Sequence, residues 1–217
     1  MRLKNVKGSR EYIAANDLVV HEEKEFRGKW KKEIFGNDNP LYIEIGMGKG
    51  QFITTLARLH PEINYVGIEK YSSTLIRGVQ KVEADPVEAG NIRFIRMDAE
   101  EILDVFGEEE VDRIYLNFSD PWPKDRHAKR RLENKLFLAK YHKILKDNGI
   151  IEFKTDNVAL FDFAVEELEG EPWKVLGITR DLHKDPVMCE GNVMTEYEEK
   201  FSAIGNPIYK YVIEKSK

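Results

Sequence analysis

Cysteine is nearly missing from this chain of 217 residues, and the single Cys189 excludes both an internal disulfide and a cysteine-cluster zinc site. Its five His residues show no HExxH-type spacing, so no metal is expected. Long apolar runs are missing too. The longest are strand-sized, far short of the roughly eighteen residues a bilayer span requires, so no membrane partner is expected. The opening residues, "MRLKNVKGSREYIAAND", lack the apolar region of a secretory leader. Cytoplasm is the expected compartment. Internal repeats and low-complexity segments are also lacking.

What is there, 41% hydrophobic and 34% charged residues, suits one globular domain with a sizeable core, or one domain with appended arms. Residues 1–40, with Phe26 and Trp30 among many lysines, read as a basic arm or short helix packed onto a domain spanning 41–217. Within that domain short apolar runs alternate with helical patterns. "LYIEIG" (41–46), "INYVGIE" (63–69), "NIRFIRM" (91–97), "VDRIYLNF" (111–118) and "GIIEFKT" (149–155) read as strands. Between them "GQFITTLARLH" is stopped by Pro61, and "SSTLIRGVQKVEA" ends before Asp85 and Pro86. "NKLFLAKYHKILKDNG" closes on Gly149, suited to a left-handed cap. "WKVLGITRDL" (173–182) and "PIYKYVIEK" (207–215) follow with no helix-length apolar pattern between them, so the last strand should be antiparallel. The expected fold is α/β and doubly wound, a mostly parallel sheet of about seven strands with an antiparallel last strand. The connection before that last strand, about 24 residues, is long enough to suggest a task.

The charge is segregated. From Lys124 to Lys146 there are nine Lys or Arg and two acidic residues, a net +7 inside a chain of net charge -5. A lopsided block of this kind is either a solvated helix face or the footprint of a polyanionic partner. It follows directly on "NFSDPWPK", an acidic, aromatic, proline-stiffened turn.

In an open parallel sheet, ligands bind beyond the carboxyl ends of the strands. After the first strand comes "EIGMGKGQF", where Gly46, Gly48 and Gly50 permit tight turning at a helix N-terminus. A nicotinamide fingerprint would read GxGxxG. Here the third glycine comes one residue early, and Glu44 would repel a pyrophosphate, which favours an unphosphorylated, positively charged cofactor. Glu69, 23 residues after Gly46, ends the second strand and suits both hydroxyls of a ribose. Asp98, with the amide of Ala99, suits the edge of an adenine. Each acid taken singly reads as a helix N-cap before it reads as a ligand, but three acids after three successive strands are hard to explain as caps alone.

Together these residues resemble the S-adenosylmethionine site of the class I, Rossmann-like methyltransferases. "SDPWPK" at 119–124 followed by "RHAKRR", then "TDN" at 155–157 and "TEYEEKF" at 195–201, closely resemble the motifs of the bacterial tRNA (guanine-N7)-methyltransferase family, in the same order. The resemblance implies methyl transfer from S-adenosylmethionine to N7 of a guanine in the tRNA variable loop. It places the cofactor on Glu44, Gly46, Gly48, Glu69, Asp98, Ala99 and Asp120. Lys124, Asp156, Thr195, Glu196, Tyr197 and Glu198 match positions that hold the substrate.

Chemistry supports an assignment of Asp120 to catalysis. Guanine N7 carries a free in-plane lone pair and needs no base, but its methylated ring is cationic, and a carboxylate beside it would stabilise the developing charge. Trp122 offers a flat face for a base, or packs under its loop. Arg126, His127, Lys129, Arg130 and Arg131 would then carry RNA beside the acidic pocket. The assembly expected is a monomer or homodimer. Rival readings are a methyltransferase for another RNA base, a non-catalytic RNA-binding module, and a nicotinamide-dependent oxidoreductase, which Glu44 and the glycine spacing disfavour.

Overall fold

A computed structural model of the chain describes residues 6–85 and 90–216. One seven-stranded sheet runs β3-β2-β1-β4-β5-β7-β6. The strands are β1 Leu41–Ile45, β2 Asn64–Ile68, β3 Ile92–Ile95, β4 Val111–Asn117, β5 Leu145–Thr155, β6 Trp173–Thr179 and β7 Tyr209–Lys215. The pairs from β3 through β5 are parallel, and β7 inserts antiparallel between β5 and β6. The doubly wound, mostly parallel sheet with an antiparallel last strand is therefore present as expected.

Both faces of the central parallel strands are covered, which explains why these read as nearly continuous apolar runs, while edge strand β6 stays largely exposed. Successive side chains of a strand point to opposite faces. Ile114 and Leu116 thus enter one core with Leu41, Ile43 and Phe153, while Tyr115 between them enters the other with Phe52, Tyr65 and Phe94. The covering helices are α1 Ser9–Ala14, α2 Gln51–Leu59, α3 Ser72–Glu83, α4 Ile102–Val105, α5 Lys135–Ile144 and α6 Val158–Glu166, with α7 Pro186–Cys189 and α8 Glu196–Ser202 in the last connection. No helix among the described residues is long and apolar enough to cross a membrane.

The residues before β1 pack into this body. Leu18 and Val20 exchange backbone hydrogen bonds of 2.8 Å with Phe94, adding a short rung to the free edge of β3. Trp30 is fully buried, stacks on Phe106 at 5.2 Å and donates its indole N–H to the Val105 carbonyl at 2.9 Å.

Three local expectations are corrected. Helix α5 ends at Ile144 and not in a cap at Gly149, because Leu145 already pairs with Val111 and begins β5. The left-handed residue of that turn is Asn148, φ 61°, one position before the glycine. The connection before β7 holds two short helices, α7 and α8, although it shows no apolar helical pattern. Strand β6 stops at Thr179, and Leu182 opens a 3-10 turn. Pro86, read as the stop after α3, lies outside the described residues, and that helix ends at Glu83.

Candidate active site

β1 is flanked by β2 on one side and β4 on the other, so the winding reverses between β1 and β4, where a crevice opens at the carboxyl ends. Glu44 of β1 spans that reversal, accepting a hydrogen bond of 2.9 Å from the Asn117 side chain of β4. Its carboxyl is 1% exposed and its Oε2 makes no hydrogen bond. Burial pushes its pKa up to about 8, against the pull of Asn117.

The turn after β1 uses its glycines for shape. Gly46 and Gly48 have φ of 75° and 57°, which side-chain-bearing residues seldom adopt. The turn brings the Gly48 amide to the Glu69 carboxylate at 3.2 Å, and the other Glu69 oxygen accepts from the Tyr71 amide at 2.9 Å. Burial raises the Glu69 pKa, and the nearby Asp120 charge adds to that rise. Glu69 in turn raises Glu44. Three carboxyl groups from three strand ends thus feel one another around one crevice. That set, with one buried oxygen unpartnered, is wrong for a pyrophosphate and fits a cationic ligand such as S-adenosylmethionine. Asp98 lies at the next strand end and has a second job: it accepts from the Glu100 amide at 3.2 Å and pairs with Lys70. Burial pushes its carboxyl up, but the Lys70 ammonium prevails and holds it below the usual range. Ala99 follows it in a 3-10 turn, half-buried.

Asp120 is exposed at the end of β4, in the turn Phe118 to Trp122. The charged block beyond it divides. Lys124, Arg126, Lys129 and Arg130 are exposed beside the crevice. Helix α5 then carries the later lysines away, and Lys146 pairs with Asp112 at 3.1 Å near the other end of the sheet. Arg131 turns inward, donating to the Pro121 and Trp122 carbonyls at 3.0 Å each, with its guanidinium 4.3 Å from the Phe163 ring. Trp122 is half-buried, with Arg130 5.0 Å and the His127 ring 5.7 Å from its ring.

Helix α8 lies across the crevice like a strap. Thr195 caps it, accepting from the Glu198 amide at 2.9 Å. Glu196 pairs with Lys49 of the glycine turn at 2.8 Å and with Lys81 of α3 at 3.0 Å. Tyr197 sits 4.8 Å from the Phe118 ring and donates to Asp156 at 3.4 Å. Glu198 is fully buried against Lys154 of β5 at 2.7 Å. Of the residues assigned to substrate, Asp156 and Thr195 to Tyr197 are thus brought together at the strand ends, with Lys124 exposed on the adjoining turn, whereas Glu198 is buried with both oxygens engaged and holds the strap instead.

Three further residues of the site carry no motif: Asn117, Lys154, and Glu133, which accepts from the Ser119 hydroxyl. Lys154 had a signal, a lysine inside an otherwise apolar strand, which must find a partner if the strand is buried. Asn117 and Glu133 had none that acts locally. Among the described residues, no group of three or more His, Cys, Asp or Glu could hold a metal ion.

Known proteins resemble this chain in sequence and in fold. A family model described as "Putative methyltransferase" matches residues 38–211. The tRNA (guanine-N(7)-)-methyltransferase of Lachnoclostridium phytofermentans is 57% identical over 217 residues, covering 100% of both chains. That of Bacillus subtilis is 45% identical over 215 residues, covering 99% of each. Among solved structures, an antibiotic-related methyltransferase superposes with a TM-score of 0.64 at 19% identity, covering 90% of this chain and 94% of that one. A 16S rRNA methyltransferase gives 0.63 at 12%, covering 86% and 92%. At such identities the two structures speak for the fold alone.

Proposed function

The chain belongs to the tRNA (guanine-N(7)-)-methyltransferase family, and we infer that it transfers a methyl group from S-adenosylmethionine to N7 of a guanine in tRNA. We place that guanine in the variable loop, as the family motifs imply. The observation that carries the reading is the exposed Asp120 carboxylate at the β4 end, close enough to buried Glu69 to raise its pKa and bordered by exposed Lys and Arg side chains.

When bound, S-adenosylmethionine supplies a methyl group carried on a sulfonium. The chain's own residues do the rest. Glu69 and Asp120 present carboxylates to the crevice and Glu44 adds a third when it ionises, Gly46 and Gly48 let backbone approach the ligand, and Asp98 with Ala99 borders the adenine end. The strap of Asp156 and Thr195 to Tyr197, with Lys124, holds the guanine so that N7 is in line with the methyl group. Such positioning can supply much of the rate. Asp120 stabilises the positive ring as it forms.

The direct test is to incubate the protein with unmodified tRNA and methyl-labelled S-adenosylmethionine and identify the labelled nucleoside. N7-methylguanosine supports the reading, and any other methylated base overturns it.

Glu69→Ala should weaken S-adenosylmethionine binding by about 1–3 kcal/mol, the range for charge-assisted hydrogen bonds. Calorimetry that shows unchanged affinity would remove Glu69 from the cofactor site. Binding should also depend on pH through Glu44. A cationic ligand favours the ionised carboxyl, whose pKa of about 8 leaves it mostly protonated at neutral pH. Affinity should therefore rise from pH 6 to 8, by at most about tenfold per unit, with proton release on binding. Glu44→Gln should flatten that rise, and an equally steep profile in the variant would assign the proton elsewhere.

For RNA the exposed cations matter. Replacing Arg126 and Lys129 with Ala should weaken every tRNA alike, because phosphate contacts carry no sequence information. The slope of log affinity against log salt should become shallower by about 1.4–1.8 units, taking roughly 0.7–0.9 per contact. An unchanged slope would make this rim a solvated face.

A further inference from the structure

The turn that presents Asp120 is strained at both ends. Phe118 and Trp122 have φ of 51° and 39°, a left-handed backbone that bulky residues seldom adopt and that persists only where surroundings hold it. The holding groups come from one short segment. Arg131 donates from Nε and Nη2 to the Pro121 and Trp122 carbonyls, at 3.0 Å each. Two residues on, the Glu133 carboxylate accepts from the Ser119 hydroxyl, immediately before Asp120. The segment is itself anchored: the Asn134 amide donates to the Arg131 carbonyl at 3.1 Å, and Asn134 caps α5 by accepting from the Leu136 amide at 3.0 Å.

Glu133 is 0% exposed, and its Oε2 makes no hydrogen bond. Two buried phenols with unpartnered hydroxyls, Tyr141 of α5 and Tyr211 of β7, feel its charge. Arg131 supplies the nearby positive charge. A buried carboxylate without a paired cation costs more than an apolar side chain of the same volume, so packing does not account for it. Its one engaged oxygen reaches the catalytic turn.

We propose that Arg131 and Glu133 form a two-point buckle that fixes the strained 118–122 turn, with Glu133 a positioning residue that acts on Asp120 through Ser119. Arg131 then serves the catalytic turn before any RNA. Ionised, Glu133 can only accept, so the Ser119 hydroxyl must point to it. Protonated, it can donate instead and release that hydroxyl. Burial pushes the Glu133 pKa up to about 7, with Ser119 and Arg131 pulling it back, so both forms are present near neutrality. Burial also raises both phenols well above their usual range, so they stay neutral there. Methyl transfer should accordingly slow as pH falls through 7.

The inference rests on the methyltransferase reading, and the test keeps the two apart. Single-turnover methylation is measured with saturating tRNA and labelled S-adenosylmethionine for the parent, E133L, E133Q, S119A and the E133L/S119A double variant. E133L and S119A should each slow transfer about tenfold or more, the cost of small misplacements at a reacting centre, with both affinities within about twofold of the parent. The double variant should be no slower than the slower single, since both break one link. E133Q keeps shape and acceptor. It should recover the rate to within about threefold and lose the parent's change in rate between pH 6 and 8. S119A leaves the core volume nearly intact and reads the same link if E133L does not fold. S119A at the parental rate, or additive losses in the double variant, overturns the buckle. A parent that forms no N7-methylguanosine overturns the methyltransferase reading and the buckle with it.

Discussion

Asp120→Asn should slow single-turnover methyl transfer by about a hundredfold or more, near 2.7 kcal/mol of barrier, while tRNA and cofactor affinities change little. Asparagine keeps the shape of the side chain and its place after β4, and removes only the charge. Guanine is neutral before attack on the methyl group and cationic after it, so a carboxylate beside the ring interacts far more strongly with the transition state than with the bound ground state. Interactions of that kind alone raise the rate of the chemical step. The site is arranged for it. Glu69 is already raised by burial and further by Asp120, so the two charges share one crevice. Removing Asp120 relieves Glu69, which offsets the attraction lost to the cationic cofactor, so affinity should change far less than rate. A near-normal rate in the variant would make Asp120 a structural residue of its turn.

Much of this site was legible in sequence because a doubly wound sheet turns local patterns into spatial neighbours. Glu44 with Gly46, Glu69, Asp98 and Asp120 are distant along the chain, but each lies in or just after the end of a recognisable strand, and parallel strands deliver their ends to one edge. What stayed hidden depends on the direction of a side chain or on a partner far along the chain. Arg131 reads like its neighbours in a basic run, and nothing local says that it alone turns inward to two carbonyls. Glu133 reads as a stray acid in that run. The end of α5 was misplaced because "LKDNG" reads locally as a helix followed by a glycine cap, whereas pairing of Leu145 with Val111 overrides that preference. Helix α8 was missed by apolar period since it is largely polar, yet "TEYE" carries a capping-box spacing that could have revealed it. Thr195 does cap that helix, but the Glu198 side chain leaves the box for Lys154.

That departure leads to the largest expected effect on stability. Lys154 is fully buried, and its ammonium reaches Glu198 at 2.7 Å, the Val193 carbonyl at 2.9 Å and Asn192 at 3.1 Å, 4.9 Å from the Phe52 ring. The other Glu198 oxygen accepts from Asn192 at 2.8 Å and lies 3.3 Å from a His183 nitrogen. Lys154→Met fills the slot with a flexible apolar chain but leaves the Glu198 carboxylate buried without its cation. Removing one partner of a buried pair costs about 3–5 kcal/mol, because the remaining charge keeps its desolvation penalty. In a chain of this size the melting temperature should fall by about 6–20 °C. Combining Lys154→Met with Glu198→Leu removes both charges and should restore most of that loss, since apolar replacement of a whole buried pair is often neutral or better. Activity should not return with it. The pair is what ties α8 to the end of β5, so the stable double variant should keep a low kcat/KM for tRNA while binding S-adenosylmethionine normally. Thermal melts read the first part and steady-state kinetics the second. A Lys154→Met protein that melts with the parent would show that the strap is held by Glu196 and Tyr197 instead.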